Sequence, residues 1–498
     1  MVLGILGIGY GFLMAPKTTA DVEAILEKEA AEHHEGHAAT ETHKITTDTQ
    51  KTTEQQTETG HHVENDPSVA NAVHNDTIAI TPMADTHHDA QVVTTETTTA
   101  DVATSTSAVA AKGSKHEVHD AHAAHEKHLT HVLHQLQNKP WAALYVACIF
   151  MMLISLGVLA FYAIQQVSQA GWSPVLFRVM QGISSYLPVG SIIFFVLLVL
   201  SGLHFNHLFV WMNEGVDVIG HENYDALVAG KTGYLNVPAW LIRAAIFLIG
   251  WNLYHFYSKR NCLLQDDAND NVYYKKNFNI SAGFLVFFIV TESIMSWDWI
   301  MSVDPHWFST LFGWYVFASF FVSGITVIAL VSVYMKSRGY LEFVNTSHIH
   351  DLAKFIFGMS IFWTYLWFSQ FMLIWYSNIP EEVTYFITRI EDYNLPFFGM
   401  LVLNFVFPVL ILINTDFKRL TWIIVMAGII ILAGHYIDFY NMIMPATVGD
   451  RWFIGASEIG SLLFFIGLFI MVVFTALTKS PLLPKRNPLI EESKHFHY

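Results

Sequence analysis

Nine apolar stretches, each long enough to cross a bilayer, constrain this chain more than any other feature. A helix rises about 1.5 Å per residue and needs about 20 apolar residues to span a hydrocarbon core of about 30 Å. The chain is 53% hydrophobic and only 14% charged. The stretches cover residues 141–164, 187–209, 238–257, 280–303, 309–335, 353–376, 395–415, 420–444 and 455–478. We therefore predict an all-α polytopic membrane protein, with nine transmembrane helices in residues 141–480 and a tail at 481–498.

Residues 1–14, MVLGILGIGYGFLM, are a further candidate helix. They lack the basic start of a signal peptide. Glycines at positions 4, 7, 9 and 11 would let another helix approach closely. At about 21 Å the stretch is short for a span, so we expect a transmembrane helix whose start lies before residue 1. The total is then about ten transmembrane helices.

Residues 15–140 are of a different kind. They contain 20 acidic and 8 basic residues and 16 of the 26 histidines. Such a composition cannot bury enough apolar surface to offset the entropy of ordering, so we expect a mostly disordered acidic loop. Seven histidines follow a step of three from His116 to His134, and we expect a helix over 116–138. A step of three turns each side chain by about 60° around a helix, which favours a solvated, pH-sensitive helix over a metal site.

Basic residues are concentrated in every second connection between the predicted transmembrane helices, and so on one side of the membrane. One set, with the tail, carries Arg178, Lys259, Arg260, Lys275, Lys276, Lys336, Arg338, Lys354, Lys418, Arg419, Lys479, Lys485, Arg486 and Lys494. The other set carries only Lys231, Arg389 and Arg451 beside many acidic residues. The positive-inside rule predicts that both termini are cytoplasmic and that the long loop 15–140 lies on the opposite side.

A weak internal repeat relates two halves of the membrane region. Asp298 precedes Pro305 by seven residues, and Asp438 precedes Pro445 by the same interval. Counting 1–14 as the first helix, helices two to five and six to nine then form two copies of a four-helix bundle, an arrangement common in transport folds. The first and tenth helices would flank the two bundles.

Ionisable side chains within apolar helices are costly and are by default a functional hypothesis. The proton-transfer candidates are Glu292, near the middle of its helix, and Asp298, His435, Asp438, His204, His207, Arg243 and Glu458, toward the side of the long loop. Carboxyl and imidazole groups suit proton exchange, and beside an apolar slot they would suit a quinol hydroxyl. The alternative is structural: Arg243 pairs with an acid, and several histidines are core or headgroup residues.

Asp304 and His306 are rim, quinone-proximal candidates in the break Asp304–Pro305–His306. An Asp-Pro pair is also an ordinary turn and helix-start signal, so a structural role fits these two residues better than it fits the other candidates.

The sequence lacks the motifs of several functional classes. The sequence has no P-loop, no GxGxxG after a strand, no zinc motif and no basic patch for nucleic acid. Its two cysteines, Cys148 and Cys262, form neither a disulfide framework nor a CxxC pair. Two open alternatives are a stand-alone secondary transporter with a midplane carboxylate and a haem b subunit ligated by His435 with His204 or His207. Against the transporter, Pro188, Pro305, Pro380, Pro396 and Pro445 cluster at predicted helix ends.

The segment SIMSWDWIMSVDPHWFSTLFGWYVF (293–317), the opening LGIGYGFLMAPKT (6–18) and the ten-helix layout resemble the membrane subunits of bacterial alternative complex III, a quinol:cytochrome c oxidoreductase. These proteins belong to the NrfD/polysulfide-reductase-type family. That complex has two NrfD-like membrane proteins, and the resemblance is best to the second of them and not to the one that oxidises quinol. It covers the start of the chain and residues 141–480.

The resemblance implies two four-helix bundles with two flanking helices, and no cofactor bound by this chain itself. It implies a structural, proton-conducting subunit of a respiratory complex that is not catalytic alone. The implied partners are a sister NrfD-like subunit, a multihaem cytochrome c, an iron–sulfur subunit and a terminal oxidase. Haem c and iron–sulfur clusters would then lie in the partners.

Family members oxidise menaquinol near the periplasmic face of the bacterial inner membrane, so loop 15–140 would be periplasmic. Whether this chain itself binds menaquinol stays open. The polar membrane residues of the family fall here on His204, His207, Glu292, Asp298, His435 and Asp438.

Overall fold

A computed structural model describes residues 1–29 and 106–497, with side chains described for 1–29 and 125–497. Most of the segment predicted to be disordered therefore lies outside the described residues. The chain divides into two compact units, Met1–Lys17 with His131–Tyr498, and Thr18–Thr130. In the smaller unit, residues 19–29 are helical, and a long helix begins at Thr106.

Nine helices in the described ranges are long and apolar enough to cross a membrane, which confirms the all-α polytopic membrane fold. In chain order the main helices are α1, Val2–Met14; α2, Thr106–Val167; α3, Pro174–Gly202; α4, Val237–Asp267; α5, Val272–Trp299; α6, Phe312–Ser337; α7, Thr346–Ser377; α8, Asn394–Leu412; α9, Thr421–Val448; and α10, Ala456–Thr478. With 13 residues, α1 is the shortest of the ten.

The third helix ends earlier than its apolar run predicts. It stops at Gly202, and His204 takes a left-handed conformation with φ of 60°. The N–H groups of His204 and Phe205 bond back to the carbonyls of Ser201 and Leu200, which closes the helix. His204 and His207 therefore lie in a connection and not on the helix end where the sequence placed them.

The helices pack as two four-membered groups. In the first bundle, α3 contacts α4 and α4 contacts α5. The α2 side chain of Tyr145 completes it, because its ring packs on Phe194 of α3 and its hydroxyl donates to the Trp299 carbonyl of α5. In the second bundle, α6 contacts α7 and α9, and α8 contacts α7 and α9. This is the predicted architecture, and α1 and α10 pair beside it.

The bundles meet along α2 and α6, the two most deeply buried of the nine spans. A Cβ atom on Gly157 of α2 would lie 2.7 Å from the Phe320 carbonyl oxygen of α6. One on Gly324 would lie 2.9 Å from the Val158 backbone nitrogen. Glycine at both positions lets the two backbones touch, which places the two bundle interiors on either side of one close contact.

The two ends of the helix bundles are called the Pro305 side and the tail side. The Pro305 side is where α5 ends and α6 begins. The tail side is where α2 ends and the C-terminal residues fold back. There the Ser493 hydroxyl donates to the Trp172 carbonyl, and a ring nitrogen of His348 lies 3.0 Å from the Ser493 carbonyl oxygen.

Candidate functional site

A fully buried carboxyl, Asp438 of α9, lies at the centre of the second bundle. Its Oδ1 accepts a hydrogen bond from the Tyr315 hydroxyl of α6. Its Oδ2 accepts from the Ser319 hydroxyl at 2.7 Å and from the Trp363 indole N–H of α7 at 2.8 Å. Three neutral donors from two other helices therefore hold this carboxyl in place. They also satisfy both of its oxygens, as a buried polar group requires.

The imidazole of His435 is linked to the same carboxyl through Ser319. His435 is fully buried, and its Nδ1 lies 3.0 Å from the Ser319 oxygen and 3.7 Å from Oδ2 of Asp438. Because the Ser319 proton is directed to Asp438, the Ser319 oxygen is left to accept from Nδ1–H. With the proton on Nδ1, Nε2 is an acceptor, and it has no hydrogen-bond partner among the described atoms. Both residues are proton-transfer candidates from the sequence, and the structure brings them together.

A π turn at Val402–Val406 brings Asn404 of α8 to this cluster. The Asn404 amide nitrogen lies 3.4 Å from Nδ1 of His435. A Cβ atom on the neighbouring Gly434 would collide with the Asn404 side chain, so glycine there makes the approach possible. Pro408, four residues after Asn404, removes a helical N–H donor and favours the irregular turn.

The matching aspartate of the first bundle, Asp298 of α5, has an ionic partner instead. Both of its carboxyl oxygens accept from Arg243 of α4, at 2.6 Å from Nε and 3.1 Å from Nη2. Arg243 also lies over the Tyr234 ring, and its side chain is 20% exposed. This geometry favours a structural role for both residues, because a bidentate ion pair orients the two side chains and offsets the negative charge of the buried carboxyl.

Glu292 is buried in α5 without such a partner. Its carboxyl oxygens accept from the hydroxyls of Ser293 at 3.2 Å and Ser296 at 3.3 Å, both on its own helix. In the described part of the chain no Lys, Arg or His nitrogen lies within ion-pair distance of it. The two serine bonds are long for O–H donors. Glu292 is thus the least tightly held of the buried carboxyls.

The remaining candidates lie apart from these groups. His207 stacks on His134 of α2 with ring centroids 4.8 Å apart, and His204 is exposed. Glu458 caps the first turn of α10, where Oε2 accepts from the Gly455 N–H and the Ser457 hydroxyl, both at 2.8 Å. Among the described hydrogen bonds none links these residues to Glu292, Asp298, His435 or Asp438. The proposed haem ligands His207 and His435 therefore have separate partners.

The rim residues form a turn anchored to the α3–α4 connection. Asp304 accepts from the His306 backbone N–H at 3.3 Å, and Nε2 of His306 lies 2.5 Å from Oδ2 of Asp225. The His306 hydrogen bond holds the pKa of Asp225 below its ordinary value. Lys231 donates to the Pro305 carbonyl at 2.5 Å. These contacts match the ordinary turn that Asp-Pro indicates.

A polar network on the tail side of the first bundle was missed by sequence reasoning. The amide nitrogens of Gln166, Gln181 and Asn277 each lie 3.0 Å from the Tyr162 hydroxyl oxygen. The buried His255 lies 3.0 Å from the Ser184 hydroxyl. This contact directs the His255 ring from α4 toward α3. Tyr315, Ser319 and Trp363 were also missed, although Tyr315 and Ser319 are four residues apart and so share a helix face.

No protein-family model and no curated protein matches this sequence. The geometry of the site is therefore the main support for a functional assignment.

Proposed function

We propose that this chain is a membrane subunit of a respiratory quinol:electron-acceptor oxidoreductase, where it stabilises the complex and conducts protons. One observation carries the proton role: the buried chain of hydrogen bonds His435–Ser319–Asp438, which ends in an imidazole nitrogen with no hydrogen-bond partner in the described part of the chain. The resemblance of residues 293–317 to the alternative complex III membrane proteins supports the respiratory setting.

The chemistry follows from the groups themselves. A carboxyl and an imidazole bridged by a hydroxyl pass a proton by shifting hydrogen bonds, since the serine donates to one partner as it accepts from the other. Nε2 of His435 is the atom where a proton enters or leaves. Glu292 supplies a second protonatable group in the first bundle, whereas the Arg243 ion pair makes Asp298 a structural residue.

The test removes the Ser319 hydroxyl, which connects His435 to Asp438, and keeps both of those side chains. Ser319→Ala in the assembled complex is expected to slow proton release, by roughly 100-fold if the relay acts as general acid–base groups do. Asp438→Asn is expected to act likewise. Proton release per electron and quinol turnover are the measurements.

Ser323→Ala is the matched control, because Ser323 is buried one turn along the same helix and donates only to the Ser319 carbonyl within α6. Equal proton release in Ser319→Ala, Ser323→Ala and the unaltered complex would exclude the relay.

A stand-alone secondary transporter is the second candidate, and the π turn at Val402–Val406 favours it. Interrupted helices mark the binding sites of many transporters, and this interruption lies within a span, next to His435. Purification in mild detergent separates the two candidates. A monomer free of haem-bearing partners supports the transporter, and co-purification of such partners supports the respiratory subunit.

A further inference from the structure

A cavity of about 700 Å³ lies between α2, α6, α9 and α10. In the described fold, α10 packs closely on α1 and the first half of α3, and its backbone stays farther from α6 and α9. The space left open is the α9–α10 cavity, whose walls include Phe150, Leu330, Ala433, Tyr436, Glu458 and Phe469. Its volume is within the range of small-molecule sites, about 300–1,000 Å³.

The cavity is open on one side, since Ile429, Ile459 and Ile470 of its wall are each at least half exposed. Its lining side chains keep their dispersion contacts only if an apolar molecule fills it. Water is a poor filler, since nearly all of the wall is apolar and a buried water needs two to four polar partners. The wall runs along α10 from Glu458 to Phe474, which is about 24 Å at helical rise. A long hydrocarbon chain fits both the length and the chemistry.

The Pro305 side of the cavity is polar. Glu458 is 2% exposed, and its capping bonds use only Oε2, so Oε1 has no hydrogen-bond partner among the described atoms. The hydroxyl of Tyr436 is buried and likewise without a partner. Both residues line the cavity. Two unsatisfied polar atoms at one end of an apolar cavity point to a ligand with a polar end, since buried polar groups are otherwise paired.

The hydrogen-bonding capacity of these two atoms indicates the chemistry of the ligand's polar end. Glu458 Oε1 accepts a hydrogen bond, and the Tyr436 O–H donates one. A ligand hydroxyl satisfies both, whereas a phosphate monoester carries about 1.5 to 2 negative charges at neutral pH and would face a carboxylate. Lys139 interacts electrostatically with Glu458 and offsets part of its charge, with its ammonium held over the Phe453 ring.

We propose that the α9–α10 cavity binds a neutral amphiphile, a long hydrocarbon chain that ends in a hydroxyl received by Glu458 and Tyr436. An isoprenoid quinol and a glyceride share this chemistry. The inference rests on the cavity alone and holds for either candidate function above.

The experiment uses the full chain in phosphatidylcholine nanodiscs, titrated with decylubiquinol, monoolein and phosphatidic acid and read by native mass spectrometry. We expect one molecule of decylubiquinol or monoolein per chain, and the tighter of the two identifies the source. Tyr436→Phe keeps the ring and removes one hydrogen bond, so we expect affinity to fall about five- to tenfold.

Ala433→Phe fills the cavity and should abolish binding, whereas Ile249→Phe on the exposed face of α4 should not change it. Tightest binding of phosphatidic acid, or unchanged affinity in Tyr436→Phe, would overturn the proposal. Equal binding in Ala433→Phe and Ile249→Phe would also overturn it.

Discussion

Two aspartates at matching positions of the repeat have different partners. Asp438 is held by three neutral donors, whereas Asp298 is held by Arg243 from a position 55 residues away. A carboxyl that is held by neutral hydrogen-bond donors can exchange a proton without breaking an ion pair. At the scale of single residues, this difference is why we propose Asp438 for proton transfer and Asp298 for a structural role.

The ion pair gives a stability prediction. Arg243→Gln leaves the fully buried Asp298 carboxyl without its cation, and removing one partner of a buried pair costs about 3 kcal/mol or more. Because Arg243 is partly exposed, we expect a loss toward that lower figure, measured as a fall in thermal midpoint in detergent. Adding Asp298→Asn should restore part of the loss. A single variant as stable as the unaltered protein would show that the pair contributes nothing.

At the scale of helices, the contact between α1 and α10 depends on glycine. A Cβ atom on Gly7 would lie 2.8 Å from both the Ala456 carbonyl oxygen and the Gly460 Cα atom, so the backbones would have to separate. Overpacking of this kind costs about 1–3 kcal/mol. Gly7→Ala should therefore lower the thermal midpoint.

Gly9→Ala is the matched control for that change, because a Cβ atom there meets open space two residues along the same helix. We expect it to be neutral or to stabilise by up to about 1 kcal/mol through helix propensity. If the two alanine variants shift the midpoint equally, helix propensity and not the α1–α10 contact decides stability at Gly7.

The prolines also act at this scale. Pro445 lies inside α9 and cannot donate to the carbonyl of Asn441, four residues earlier. The buried Arg389 donates to that carbonyl at 3.0 Å and to the Met442 carbonyl at 3.4 Å. An arginine in the last turn of the short helix Pro380–Glu391 therefore satisfies the backbone carbonyl that proline leaves open, and α9 continues to Val448.

At the scale of the whole molecule, the Pro305 turn is the link between the bundles. It is tied to the α3–α4 connection by the Asp225–His306 pair. Since that bond lowers the folded pKa of Asp225, its stabilisation is complete above the ordinary pKa of about 3.8 and is lost as pH falls through the lower folded value. The side chains are partly exposed, so the effect is below about 1 kcal/mol.

Asp225→Asn tests this, because asparagine retains the cap on Leu227 and Val228 but not the charge. The difference in thermal midpoint between the unaltered protein and the variant should be largest near pH 6 and shrink toward pH 3. A difference that is constant over this range would contradict the assignment.

The sequence by itself determined the fold class, the nine spans and the two-bundle arrangement. Apolar runs of this length form transmembrane helices in a bilayer, since the hydrocarbon core offers no hydrogen-bond partner and every backbone polar group must be satisfied within the helix. It also placed His435 and Asp438 on one helix face, because the two residues are three positions apart. The predicted orientation and respiratory setting stay predictions.

Only the tertiary structure decided which acid meets which donor. Helical periodicity shows that Asp298 and Asp438 share a helix face with other residues, but not which helix that face meets. The rotation and crossing of α4 and α6 placed Arg243 against one aspartate and Tyr315 and Ser319 against the other. The α9–α10 cavity depends in the same way on how far α10 stands from its neighbours. Such distances come from side-chain packing between remote segments, and no local pattern encodes them.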